Sequence, residues 1–174
     1  MDPRLINDDS AAEGLTMHVF ITLILFCAIL GLSIKAASSF INEGKEEKLM
    51  AQIEVIENEA VLMYTHGGAR NIDNPSDLSG PIQKVHVKIP DIAIFVVFGS
   101  LPAAEGKPPS ERYGLDDNVF YYVLTDGRTQ SGSSIARFSA NVTDLDKPFV
   151  LYPGEYELTM ELVKNKNGTY VRIE

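Results

Sequence analysis

From Gly14 to Ile34 the chain runs 21 residues without a charged side chain. As a helix rising about 1.5 Å per residue, such a run spans roughly 30 Å, the hydrocarbon thickness of a bilayer. Its apolar residues, Leu23-Ile24-Leu25-Phe26 and Ile29-Leu30 among them, leave no polar stripe. A helix apolar on every side belongs in lipid or in a deep core. The rest of a 174-residue chain is too short to wrap it. The sequence therefore predicts a polar leader over 1–13 and a transmembrane helix over 14–41. A cleaved secretory signal is the competing reading, with Ala36-Ala37-Ser38 as its cleavage site. The acidic leader, with Asp2, Asp8, Asp9 and Glu13 against Arg4, and the length of the run oppose it. Gly31, Ser33, Ala36, Ala37 and Ser38 are small enough to let helices approach closely.

Past Asn42-Glu43-Gly44 the pattern changes. Leu49, Ile53, Ile56, Ala60 and Met63 recur at helical spacing, and Glu46, Glu54, Glu57 and Glu59 fall on other faces. This predicts an amphipathic helix over 42–66 that packs its stripe on the β-rich remainder of the chain. Fewer than three heptads are present, so a coiled-coil partner is the weaker alternative. His66-Gly67-Gly68 supplies the stop, with glycine expected in the left-handed conformation. At the other end Ser10-Ala11-Ala12-Glu13 matches a capping box, in which Ser10 and Glu13 bond each other's backbone N–H groups. Asp8 and Asp9 suit the positive end of the helix dipole.

The remainder, 67–174, reads as short strands between turn signals. Val85–Ile89 alternates, Ile92–Phe98 is a continuous apolar run, and Pro90-Asp91 separates them. The proline-rich stretch Ser100–Gly114 reads as an exposed loop. Val119–Leu124 is a strand, Asp126-Gly127 a hairpin signal, and Ser134–Ala140 the expected partner strand. Phe149–Tyr152, Tyr156–Val163 and Tyr170–Ile173 complete the set, with Lys164–Gly168 as a turn. Tyr156, Leu158, Met160 and Leu162 alternate with Glu157, Thr159 and Glu161, which predicts one buried and one wet face. The expected fold is α+β: a long N-terminal helix, transmembrane then amphipathic, before a mainly antiparallel β-sheet or small β-sandwich.

Composition narrows the function. The net charge is −9 and no basic cluster is present, which excludes a phosphate-backbone grip and predicts no nucleic-acid partner. Cys27, the single cysteine, lies in the apolar run and has no partner for a disulfide or a thiol metal site. His18, His66 and His86 share no ligand spacing, so no metal site is expected. No serine sits in a nucleophile-elbow pattern, and Gly67-Gly68 is not followed by the lysine of a phosphate loop. Asp116-Asp117 and Asp144/Asp146 offer calcium-type oxygens but lack the EF-hand pattern, and polar turns are the simpler reading. The tyrosine pair Tyr121-Tyr122 is assigned to core packing. We expect no enzyme, no cofactor and no small-molecule substrate. Asn141-Val142-Thr143 and Asn167-Gly168-Thr169 are sequons, so Asn141 and Asn167 are candidate glycosylation acceptors.

The layout Ser10–His66 before a β domain resembles type IV pilins and their archaeal pilin-like relatives. The segment Asp8-Asp-Ser-Ala-Ala-Glu-Gly-Leu-Thr-Met-His-Val-Phe-Ile21 carries that resemblance. Val119-Phe-Tyr-Tyr-Val-Leu-Thr-Asp-Gly-Arg128 and Val150-Leu-Tyr-Pro-Gly-Glu-Tyr-Glu-Leu158 are similar to an archaeal single-pass membrane-protein group of the same layout. The resemblance implies a membrane-anchored structural or accessory subunit of a cell-surface filament or secretion assembly. Its alternative is a non-polymerising anchored β module, like the stator of an archaeal motility filament, contacting the envelope. The implied partners are the membrane, other pilin-like transmembrane helices and envelope proteins. The resemblance also implies that Glu13 neutralises a neighbouring subunit's terminal amine. A cut after Gly14 would remove Glu13, whereas a cut giving Glu13 the fifth mature position falls between Asp8 and Asp9. Export of the C-terminal domain is expected from the resemblance and the sequons. Lys35, Lys45 and Lys48 pull the other way under the positive-inside rule.

Overall fold

The computed structural model describes residues 9–78, 80–103, 106–140 and 146–174, with the side chains of 9–16 outside the description. Among the described residues one helix, α1 (Asp9–His66), precedes nine strands. The chain is α+β, as expected, and divides into two compact units, Met1–Gly44 and Lys45–Glu174.

The first unit is helix throughout its described residues. Every residue from Met17 to Glu43 is exposed, including Leu23, Ile24, Leu25 and Phe26. By length and composition this helix is apolar enough to cross a membrane. The hydroxyls of Thr22 and Ser33 bond the carbonyls of His18 and Ile29 one turn back, so neither polar group needs water.

The second unit begins with the amphipathic part of α1. Leu49, Ile53, Ile56 and Ala60 are fully buried and Met63 nearly so. The five residues of the predicted stripe are the five that enter the core. The helix ends where expected, but by a different device. Gly67 is not among the positive-φ glycines. Its N–H closes a last turn onto the Met63 carbonyl, and a Cβ on Gly67 would lie 2.5 Å from Pro81 Cγ and 2.7 Å from that carbonyl. Close packing, not left-handed backbone, requires glycine there.

The strands are β1 (Arg70–Asn71), β2 (Ile82–Ile89), β3 (Ala93–Phe98), β4 (Val119–Leu124), β5 (Thr129–Ser133), β6 (Phe138–Ser139), β7 (Phe149–Leu151), β8 (Gly154–Asn165) and β9 (Gly168–Ile173). One sheet has the order β1-β8-β9-β6, with β2 on β8; the other is β5-β4-β3-β7. All pairs are antiparallel except β1–β8 and β6–β9. Inward residues of both sheets, such as Val87, Met160, Val96 and Tyr122, share one core with the α1 stripe. Along β2 the Lys88 N–H leaves the ladder and donates to Gln52 Oε1 of α1 at 2.9 Å. By the two-residue period of a strand, Ile82, Lys84 and His86 present their backbone groups to that same outer edge.

Three expectations are corrected. The partner of β4 is β5, paired from Val119↔Ser133 to Val123↔Thr129, not Ser134–Ala140. The Asp126-Gly127 turn forms as predicted, with Gly127 at φ 87° and Asp126 Oδ1 accepting the Arg128 N–H. After Thr129 the strand Gln130-Ser-Gly-Ser133 lacks β-formers, yet the ring of Phe120 lies over Gly132 in the space a Cβ would take. Phe138-Ser139 instead joins β9 in the other sheet. Second, the base of the 100–114 loop is closed, not exposed. Ser100 is fully buried, its Oγ accepts the Tyr113 N–H at 2.8 Å, and Leu101 N–H donates to the Tyr113 carbonyl. Third, the outer face of β8 is wet only at its start. Glu157 is exposed, whereas Glu161 is 4% exposed.

Candidate functional site

Glu161 lies beside Arg172 of β9 and near Arg70 of β1, because β8 pairs with both strands at this point. Arg70 Nε donates to Oε1 at 2.6 Å and Nη2 to Oε2 at 3.1 Å; Arg172 Nη2 reaches Oε2 at 2.8 Å. Hydrogen bonds from Arg70, with the charge of Arg172 behind them, hold the Glu161 carboxyl below the usual carboxylate range against the desolvation that opposes it. Arg172 also meets Glu174 at 3.3 Å, and its buried Nε has no hydrogen-bond partner among the described residues.

A second buried carboxylate, Asp117, lies just before β4. Arg137, just before β6, donates to it from Nε at 2.7 Å and also contacts it through Nη2. Arg112 Nη1 approaches the same oxygen at 3.5 Å and Asp146 at 3.4 Å, while its Nε holds the Gly99 carbonyl. The Arg137 guanidinium lies 4.5 Å from the ring centre of Tyr170 on β9, a cation–π arrangement. Asp117 thus ties the 99–117 segment, the approach to β6 and the β8–β9 hairpin together. Neither the calcium reading nor the polar-turn reading described it: Asp117 is an ion-pair centre, buried to 5% exposure. Asp144 lies outside the described residues.

Among the open clefts on the second unit, two are rimmed by ion pairs. One, of about 700 Å³, is lined by Lys45, Lys48, Gln52, Lys88, Asp91 and Glu155 among others. Lys45 donates to both Asp91 oxygens, at 2.8 and 3.1 Å, and Lys88 pairs with Glu155. The other, of about 690 Å³, lies by Arg112, Leu115, Asp146 and Lys147. Each cleft carries at least one ion pair on its rim, Arg112 with Asp146 in the second.

The residues singled out from the sequence do not converge. Ser10 and Glu13 lie within α1, with side chains outside the description; Asn141 lies outside the described residues altogether. Asn167 is exposed at the tip of the β8–β9 hairpin. His18 is exposed in the first unit, His66 ends α1 with Nδ1 3.1 Å from the Leu62 carbonyl, and His86 is exposed on β2. Among the described residues no three His, Cys, Asp or Glu side chains are grouped as a metal ion would require. Tyr121 and Tyr122 are both buried, on opposite faces of β4; the Tyr121 hydroxyl has no partner among the described residues, and burial pushes its pKa up. A carboxylate clamped by two arginines stays ionised and is poorly placed to exchange protons with a substrate.

The arginine clamps were not anticipated. One signal was present for Glu161: Val163 and Tyr170, apolar neighbours on the same outer face, show that this end of the face is covered. No protein-family model matches the chain, and no curated protein or solved structure matches it either.

Proposed function

We propose that the protein is a membrane-anchored, non-catalytic subunit that displays its β domain outside the cell, as a pilin-like structural or accessory component of a surface assembly. The observation that supports this reading most is the exposure of Met17–Ile34, an uncharged apolar stretch of helix that no other described residue covers. Such a surface in water carries a heavy penalty, and lipid or neighbouring helices remove it. The second unit has its own core and its buried charges are paired, so it needs nothing from the apolar segment to fold. Its partners are then the bilayer, similar transmembrane helices and envelope proteins.

The test is the mature N-terminus of protein taken from native membranes, by intact mass and terminal sequencing. A cut within Asp8–Leu15 supports assembly with pilin-like partners. A cut near Ala36–Ser38 would release the domain and sink the anchor. A chain that keeps Met1 transfers the proposal to the non-polymerising anchored module. Labelling of intact cells with a membrane-impermeant amine reagent settles the side on which the β domain lies.

A further inference from the structure

The tip of the β8–β9 hairpin holds two side chains that the fold does not use. Asn165 pairs with Gly168 across the hairpin, leaving Lys166 and Asn167 as the turn. The turn is secured by other residues. Asn165 Oδ1 accepts the Asn167 N–H at 2.8 Å, and Asp73 Oδ2 accepts the Lys166 N–H at 3.2 Å. Arg137 Nη1 donates to the Asn167 carbonyl at 3.4 Å. Gly168 is explained too, because a Cβ there would run into Arg137 Nη1. Among the described residues the exposed Asn167 side-chain amide has no hydrogen-bond partner, and the Thr169 hydroxyl has none either.

The contrast with the other asparagines is informative. Among the described residues outside α1, Asn71 and Asn74 accept backbone N–H groups two residues on, Asn118 donates to the Ser134 carbonyl, and Asn165 builds the hairpin turn. Asn167 alone of that set has an idle amide, and it opens the triplet Asn167-Gly168-Thr169. Asparagine-linked glycosylation requires that triplet on an accessible surface.

We propose that Asn167 is a glycan acceptor. The donor class is a lipid-linked glycosyl phosphate. Asn167 Nδ2 attacks the anomeric carbon, a C–N bond forms as the C–O bond to phosphate breaks, the phosphate leaves with the bonding pair, and the amide nitrogen gives up one proton. No oxidant or reductant is needed. The proposal rests on the reading that the β domain is exported. A glycan here would project from a tip whose backbone is anchored through Arg137 to Asp117 and Tyr170.

The experiment is peptide mapping by mass spectrometry of the full chain purified from native membranes, alongside impermeant amine labelling of intact cells. The expected result is a glycan mass on the peptide containing Asn167. It should be lost in Asn167→Gln and Thr169→Ala and kept in Thr169→Ser, with thermal melting unchanged in all three. A labelled, exported domain whose Asn167 is unmodified, or merely deamidated, overturns this proposal and leaves the exported anchor standing. An unlabelled domain with unmodified Asn167 overturns both.

Discussion

The two stretches of α1 are built from the same kinds of residue and meet opposite fates. Leu25 is 57% exposed and Leu49 is 0% exposed. The difference lies in what surrounds the apolar residues. Over 45–66 the fully buried apolar residues fall on one stripe and glutamates lie on other faces, so the core takes one face and water the rest, Val55 and Leu62 included. Over 17–34 they cover the whole circumference, and no folded domain of this size can answer every direction at once. Helix character alone says nothing about surroundings; the angular spread of the apolar side chains does.

That comparison is broken most severely by charging the first stretch. Leu25→Arg with Ile29→Arg should cost about 6 kcal/mol of membrane insertion, at roughly 3 kcal/mol per central arginine. Carbonate extraction should find the double variant in the soluble fraction, with the melting of the β domain unaltered. Retention in the membrane fraction would end the lipid reading. The reverse dissociation is expected from Ile53→Ala, which removes buried bulk from the second stretch. It should lose about 4 kcal/mol in urea unfolding of the β domain, while membrane partition stays as it was.

Smaller effects sharpen the contrast between buried charge and buried apolar surface. Glu161→Ala strands Arg70 and Arg172 and should cost about 3 kcal/mol. The same clamp sets a pH dependence. The folded carboxyl titrates below its unfolded value of about 4.3, so its contribution is complete above that pH and is lost as pH falls through the folded value. Glu161→Gln should flatten this acid limb, and an unchanged limb would assign it to other carboxylates. Smallest is Glu13→Ala. If Glu13 only completes the capping box, helix stability drops by about 1 kcal/mol and surface assembly is untouched. Loss of assembly would favour the intersubunit role.

The α1 stripe, the apolar run and most strands were legible because each shows a period that only one local structure satisfies. Strand β5 was not, since Thr129-Gln-Ser-Gly-Ser133 is an edge strand whose register depends on Phe120 in the neighbouring strand. The clamps at Asp117 and Glu161 were illegible for a related reason. Arg70 and Glu161 are 91 positions apart, and Arg137 and Asp117 are 20 apart. A carboxylate shows nothing of its partner until the sheets bring the partner to it. Gly67 was placed correctly as a helix end and explained wrongly, because the pressure on it comes from Pro81, on a distant stretch of chain.

On the proposed anchoring, the bond from Lys88 to Gln52 would have a consequence at the bilayer surface. Proteins tethered to a bilayer are crowded in two dimensions, so each meets its copies far more often than in free solution. An eight-residue strand with an open rim is then a template for indiscriminate sheet extension. Gln52 occupies one end of that rim, and the exposed Lys84–Glu157 and Lys88–Glu155 ion pairs stand along the same strand. With such anchoring, a single glutamine on a helix would help keep neighbouring copies separate.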